Sequence, residues 1–251
     1  MAGTHRWLLI GNSRWHWAET GAAGLCIEHR DAALARRDAL IADPWAWAAV
    51  GVLPPGREPE ASRRVGTADV PLEGAPAWLG VDRALAGWMA WRNWRQDVLV
   101  ADAGTVLSFT CVDRQGRFVG GRLIAGLALQ LRAMAQGTAT LPWPQGPEGE
   151  GERWGDGGWP TDTAGAMAVG VRRALAAAVV SAIAERREHD RHCALVLTGG
   201  DARNLLPLVQ PLVVAEGGSV IHEPDLALRG LVALRPADDA AVQSSPRSVS
   251  S

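Results

Sequence analysis

Short apolar runs, each cut off by glycine and polar turn residues, recur along this chain and set its expected secondary structure. Trp7-Leu8-Leu9-Ile10 stops at Gly11-Asn12-Ser13-Arg14 and resumes as Trp15-His16-Trp17-Ala18, a strand, a turn and a second strand. Residues 31–41 carry helical periodicity, and Ala46 to Leu53 reads as a buried strand ended by Pro54-Pro55-Gly56. A short extended piece is expected around Ala68 to Leu72. Gly80-Val81-Asp82-Arg83 then opens a helix with Val81, Leu85, Trp88 and Met89 on one face and Arg92 and Arg95 in its last turn.

The second half repeats the pattern. Val98 to Ala101 is a buried strand that ends in Asp102-Ala103-Gly104-Thr105; Val106 to Val112 follows as a strand, Asp113 to Arg117 turns, and Phe118-Val119 begins the return. Ile124 to Ala135 is expected to be helical, and Trp143 to Pro160 is too rich in Gly, Pro and Glu for regular structure, so it reads as a long loop. Thr161-Asp162-Thr163 caps a helix running to about Arg187, whose apolar middle marks it as the central buried helix. Ala194 to Leu197 is a strand, Thr198-Gly199-Gly200-Asp201 a glycine turn, and Ala202 the start of another helix. Leu226 to Leu234 closes the fold, and a polar tail runs from Ala237 to Ser251.

Composition narrows the class. A chain of 251 residues that is 47% hydrophobic can bury a core for one large domain or two modest lobes. Its 25 basic and 27 acidic residues are well mixed, which suggests no nucleic-acid face and a small-molecule partner. Cys26, Cys111 and Cys193 lie far apart, so they form neither a zinc motif nor a disulfide framework and each is expected in the core. No signal-peptide core is seen, and no apolar run is expected to approach the roughly 18 residues of a membrane span, which gives a soluble cytoplasmic reading without membrane attachment.

The turns carry the candidate chemistry. An Asp at a strand end, followed by a glycine and a hydroxyl, suits a phosphate with its counter-cation, or else Asp102 only caps its own turn. Gly11, Asn12 and Ser13 offer close backbone approach and side-chain donors to a phosphate, or form an ordinary hairpin turn. In the first turn of its helix Asp82 is held ionised by the dipole and is a candidate acceptor of a hydroxyl proton, or simply a dipole-satisfying residue. Arg83 is placed to clamp a substrate carboxylate by two parallel hydrogen bonds. The Gly199-Gly200 pair lies against a nucleotide or serves packing alone.

The order of the turns GNSR, GVDR, DAGT, TDTAGAMAVG, LTGGDA and EPDLALRGL, from about residue 8 to about residue 235, resembles the type III pantothenate kinases of the acetate kinase, sugar kinase, heat-shock ATPase and actin superfamily. The resemblance implies an α/β fold of two similar actin-like, ribonuclease H-like lobes, mixed sheets flanked by helices, with an ATP cleft between them. Residues 1–97 would form the N-terminal lobe, 98–235 the C-terminal lobe and 236–251 the tail. It implies transfer of the ATP γ-phosphoryl group to pantothenate, the first step of coenzyme A synthesis, by a homodimer using Mg²⁺ with ATP and a monovalent cation, K⁺ or NH₄⁺.

Residue by residue, the resemblance assigns ATP to Leu9, Ile10, Gly11, Asn12, Ser13, Arg14, Trp15, His16 and Thr105. It assigns pantothenate to Gly80, Val81, Asp82, Arg83 and Thr163, with Asp82 the proton acceptor, and the monovalent cation to Asp102. The apolar helix that starts at Thr163 would help form the dimer contact. Two departures accompany it: Leu9 stands where the family usually has Asp, and there is no Tyr ahead of the GVDR motif. They define the alternative, a catalytically impaired relative acting as a binding or regulatory protein.

Overall fold

The structure, a computed structural model, describes residues 5–21, 24–38, 43–143 and 158–237. Most of the expected long loop and polar tail, and the end of the helix expected over 31–41, lie outside these residues. The described residues divide into two compact units: those within 5–98, 110–120 and 225–237 form the first, and those within 99–109 and 121–224 the second.

The first unit is built on strands β1 (Arg6–Ile10), β2 (Arg14–Gly21), β3 (Gly24–Asp31) and β4 (Ala46–Ala49), arranged in the order β3-β2-β1-β4. β1 and β2 run antiparallel, as do β2 and β3, while β4 joins β1 in parallel. Register fixes which side chains share a face: Leu8 lies opposite Trp17 and Ile10 opposite Trp15, whereas Leu9 lies opposite His16. Leu8, Ile10, Trp15, Trp17 and Trp47 therefore form one cluster, which helix α1 (Ala32–Asp38) closes with Ala32 and Ala35. On the other face, α2 (Val81–Trp94) and α6 (Leu226–Leu234) pack on each other, α2 against β4 and α6 against β1. A Cβ at Gly230 would stand only 2.7 Å from the Leu85 carbonyl oxygen, so this glycine permits the close helix crossing.

A five-stranded sheet of order β7-β6-β5-β8-β9 uses β5 (Val98–Ala103), β6 (Val106–Val112), β7 (Phe118–Ala125), β8 (Ala194–Thr198) and β9 (Val220–His222). In the second unit, α3 (Leu127–Gly137) packs on α4 (Thr163–His189), which packs on α5 (Ala202–Ala215). α5 in turn lies against β8 and β9.

Several expectations shift. β7 occupies residues to Ala125, so the helix expected from Ile124 begins at Leu127, after Gly126. The expected extended piece around Ala68 is a single 3₁₀ turn over Thr67–Asp69, where Asp69 Oδ2 accepts the Gly66 N–H at 2.7 Å. β4 ends at Ala49, four residues short of Leu53. Only Cys193 is buried; Cys111 is half-buried and Cys26 exposed on β3. α4 also overturns the expectation about apolar runs: its most apolar 18-residue window has a mean hydropathy of 1.6, enough by length and composition to cross a membrane. Half of that window is buried inside the protein, with Leu175, Val179 and Ile183 facing inward.

Candidate functional site

In the first unit three chain segments meet at the carboxyl ends of β1 and β4. The Gly11 N–H donates to the Arg14 carbonyl at 2.9 Å, closing the β1–β2 turn and leaving Asn12, Ser13 and Arg14 exposed. A Cβ on Gly11 would lie 2.7 Å from that same carbonyl oxygen, so glycine is required there. The chain leaving β4 is held over this turn: the N–H groups of Val50 and Gly51 both donate to the Ile10 carbonyl, at 2.9 and 3.1 Å. Any side chain on Gly51 would collide with the Gly11 carbonyl.

The third segment is the start of α2. Thr67 Oγ1 donates to the Leu79 carbonyl at 2.6 Å and braces the approach, and a Cβ on Gly80 would stand 2.6 Å from Asp82 Oδ1 and 3.5 Å from Val50 Cγ1. Val50 therefore links the first turn to the GVDR turn. Asp82 Oδ1 accepts the Arg83 backbone N–H at 2.8 Å. Burial nevertheless pushes the Asp82 carboxyl above its ordinary range, outweighing that bond and the Arg83 charge. The expectation that the helix dipole holds Asp82 readily ionised is thus corrected, because desolvation is the larger effect. Arg83 is itself buried, and its Nε donates to Thr110 Oγ1 at 3.2 Å.

Leu9 is buried, on the face shared with His16, and contributes no polar atom. Ile10 and Trp15 belong to the opposite face, in the tryptophan-rich core. Their backbone forms the walls of the turn, while their side chains serve packing.

The second unit gathers a different set. Asp102 and Ala103 are the last residues of β5, and Gly104 and Thr105 turn the chain into β6. The Gly126 N–H donates to the Thr105 carbonyl at 3.0 Å, and a Cβ on Gly126 would collide with the Gly104 carbonyl. From the other side, Gly199 adopts φ +91°, and a Cβ there would collide with Asp102 Oδ1. The Asp201 N–H completes the arrangement by donating to the Ala103 carbonyl at 2.8 Å. The start of α3, the DAGT turn and the TGGD turn are therefore in contact. Asp102 Oδ1 and the Ala103 carbonyl thus both face the Gly199 backbone, so oxygen atoms of the DAGT turn lie against the TGGD turn. Thr163 stands apart as the exposed first residue of α4, above the cap in which Asp162 Oδ1 accepts the Gly165 N–H at 2.8 Å.

Gly51 and Gly126 were not visible as site residues in the sequence. Each is a glycine directly after an apolar run, but what makes it necessary is a carbonyl from a remote segment.

The family model described as type III pantothenate kinase matches residues 66–185. A curated type III pantothenate kinase of Synechococcus elongatus is 35% identical over 244 residues, covering 89% of this chain and 93% of the relative. Another from Synechococcus sp. (strain JA-3-3Ab) is 33% identical over 240 residues, covering 92% of each. Among solved structures, a protein of Campylobacter jejuni described as a Baf family transcriptional activator aligns with a TM-score of 0.54 at 15% identity, over 91% of this chain and 95% of its own. The activator of the 2-hydroxyisocaproyl-CoA dehydratase from Clostridium difficile, with bound ADPNP, aligns with a TM-score of 0.51 at 13% identity, over 98% of this chain and 100% of its own. These two likenesses speak for the fold alone.

Proposed function

The chain belongs to the type III pantothenate kinase family, whose members are ATP-dependent phosphotransferases, and on that premise we propose which of its residues perform each part of the transfer. Phosphoryl transfer asks a protein for alignment and charge neutralisation more than for covalent chemistry. Asp82 takes the proton from the primary hydroxyl of pantothenate as that oxygen attacks the γ-phosphorus. The bond from phosphorus to the ADP oxygen breaks, and 4'-phosphopantothenate leaves. Burial of the Asp82 carboxyl carries this reading, because a carboxylate with raised proton affinity is a stronger base near neutral pH than an exposed one.

The turn of Gly11, Asn12, Ser13 and Arg14, kept in shape by the Val50-Gly51 segment over it, holds phosphate of ATP through the exposed side chains of Asn12, Ser13 and Arg14. Gly80, Val81 and Arg83 fix the substrate around Asp82, with Arg83 supplying positive charge from a buried position that Thr110 helps to orient. Thr105 contacts ATP and Thr163 the substrate. Asp102 is the residue that would hold K⁺ or NH₄⁺, which would supply charge against the phosphates. Mg²⁺ enters with ATP as part of the substrate.

The enzyme works in the cytosol as a homodimer. The outward side of α4 supports self-association, since Ala166, Gly170, Ala174 and Ala177 are exposed on it at helical spacing; light scattering of the purified protein checks this. The decisive test of the function is a coupled assay of ADP release with ATP, magnesium and potassium, with and without pantothenate. Pantothenate-dependent release is expected. Folded protein that binds both substrates and releases no ADP would overturn the kinase reading and make Leu9→Asp the next variant.

A further inference from the structure

His16 stands beside the first phosphate-binding turn, with its Nε2 only 3.8 Å from the point a Cβ on Gly11 would occupy. Its other ring nitrogen, Nδ1, lies 2.8 Å from Nδ1 of His29, the residue directly opposite it in the β2–β3 register. The far side of His29 is engaged too: Nε2 lies 3.3 Å from Oδ1 of Asp225, the residue that precedes α6. The three side chains form a line from α6 across the sheet face to the turn, and all belong to the first unit.

Simple accounting of protons leaves this line two states. The Asp225 carboxylate only accepts, so His29 Nε2 carries hydrogen, and the contact between the two Nδ1 atoms holds a single proton. When His29 is neutral, that proton sits on His16, and His16 Nε2 presents a lone pair to the turn. When His29 takes up one proton, its Nδ1–H donates to His16 Nδ1, and His16, still neutral, presents Nε2–H instead. The first state repels a phosphate oxygen and the second binds it. The positive charge of the second state rests on His29, which is exposed and paired with Asp225.

Resting on the reading of the GNSR turn as a phosphate loop, we propose that Asp225, His29 and His16 form a proton relay that turns His16 Nε2 into a phosphate donor, so that nucleotide binding draws one proton into the protein. The surroundings favour a neutral His16 throughout. Burial, then His29 and Arg14, lower its pKa to about 4, so a charged His16 is not the form that meets the ligand. The flanks of the pair bear this out: Leu9 faces His16 from β1, Ala18 and Ile27 pair on one side of the two histidines, and Arg14 pairs with Asp31 on the other. Asp31 is occupied in accepting the Ala33 N–H at 2.8 Å and the Leu34 N–H at 3.2 Å. Asp225 is thus the carboxylate placed to support a protonated His29. His29 and Asp225 are positioning residues, and His16 is the group that touches the ligand.

The test is calorimetric titration of the full chain with magnesium–ADP at about pH 7.5, in two buffers of different ionisation enthalpy, for wild type, His29→Gln and His16→Gln. Wild type is expected to take up about one proton more than His29→Gln, with an ADP affinity that rises as pH falls. His16→Gln keeps an amide donor and should bind ADP with an affinity independent of pH over that range. Nitrogen-15 spectra of the imidazoles should show His16 Nε2 gaining its proton when ADP is added, a readout that a purely structural pair would not move. Equal proton uptake by wild type and His29→Gln, with both binding ADP, would overturn the relay and leave the phosphate loop standing. Absence of ADP binding by folded wild type would overturn the loop itself, and the relay with it.

Discussion

Asp82→Asn separates catalysis from folding, because the structure gives the two effects opposite signs. The substitution is isosteric, and the amide oxygen can still accept the Arg83 backbone N–H that Oδ1 accepts now at 2.8 Å. The lost function is proton acceptance, whose removal costs on the order of 10²- to 10⁴-fold in turnover, about 3–5 kcal/mol of transition-state stabilisation. Stability should move the other way. The folded-state pKa of Asp82 is raised by burial, so its ionisation opposes folding; that penalty is absent at low pH, develops as pH rises from the unfolded value to the folded one, and is constant above it. Asn carries no such penalty, so the melting temperature of the variant relative to wild type should rise as pH rises above the ordinary carboxylate range. The assay is coupled ADP release as a function of pantothenate, with thermal melts across the same pH range. A fall in kcat is expected with KM changed little. For wild type, the acid limb of the pH profile should lie above the ordinary carboxylate range. Turnover close to wild type would refute the role, and a relative melting temperature that falls as pH rises would refute the assignment of burial as the dominant influence on this carboxyl.

Three further outcomes are expected. Asp102→Ala should abolish stimulation by potassium or ammonium while leaving the protein folded, as judged by rates at varied cation concentration. Gly51→Ala must move the Gly11 carbonyl to admit a Cβ, a strain of about 1–3 kcal/mol by the scale of overpacked sites. At that cost it should lower the melting temperature by several degrees, about 2–4 °C per kcal/mol for a chain of this size, and raise KM for ATP. Arg83→Lys keeps a positive charge but loses the Nε donor to Thr110, so KM for pantothenate should rise with ATP binding unchanged in calorimetric titration.

The parts of the fold that were legible in the sequence are those with a strong local signal. β6 spans Val106–Val112 and α6 spans Leu226–Leu234 as expected, because each is an apolar run bounded by turn residues. β3, by contrast, went unseen. Its sequence GLCIEHRD is largely exposed, paired only through β2 at the sheet edge, so it buries too little to leave an apolar pattern. The helix expected from Ile124 failed for the opposite reason: Leu123, Ile124 and Ala125 suit either structure, and pairing with β6 settles them as strand. The turns of the site were legible because glycine and small polar residues interrupt buried strands. The relation between turns was not, since Gly51 meets Gly11 and Gly199 meets Asp102 only after distant segments pair. The upward shift of the Asp82 carboxyl was not legible, because the dipole is a local property and burial is not.

The same contacts explain why Leu9 need not dismantle the site. Glycine-dependent approaches of backbone to backbone form both turn assemblies: Gly51 on Gly11 in the first unit, and Gly126 on Gly104 in the second. None of these contacts involves the Leu9 side chain, which is buried beside His16 on the face that α6 covers. Replacing a carboxylate by leucine at that position removes a charge without disturbing the backbone hydrogen bonds that shape the Gly11 turn. It also spares the fold an uncompensated buried anion, a large cost for a group placed under a helix.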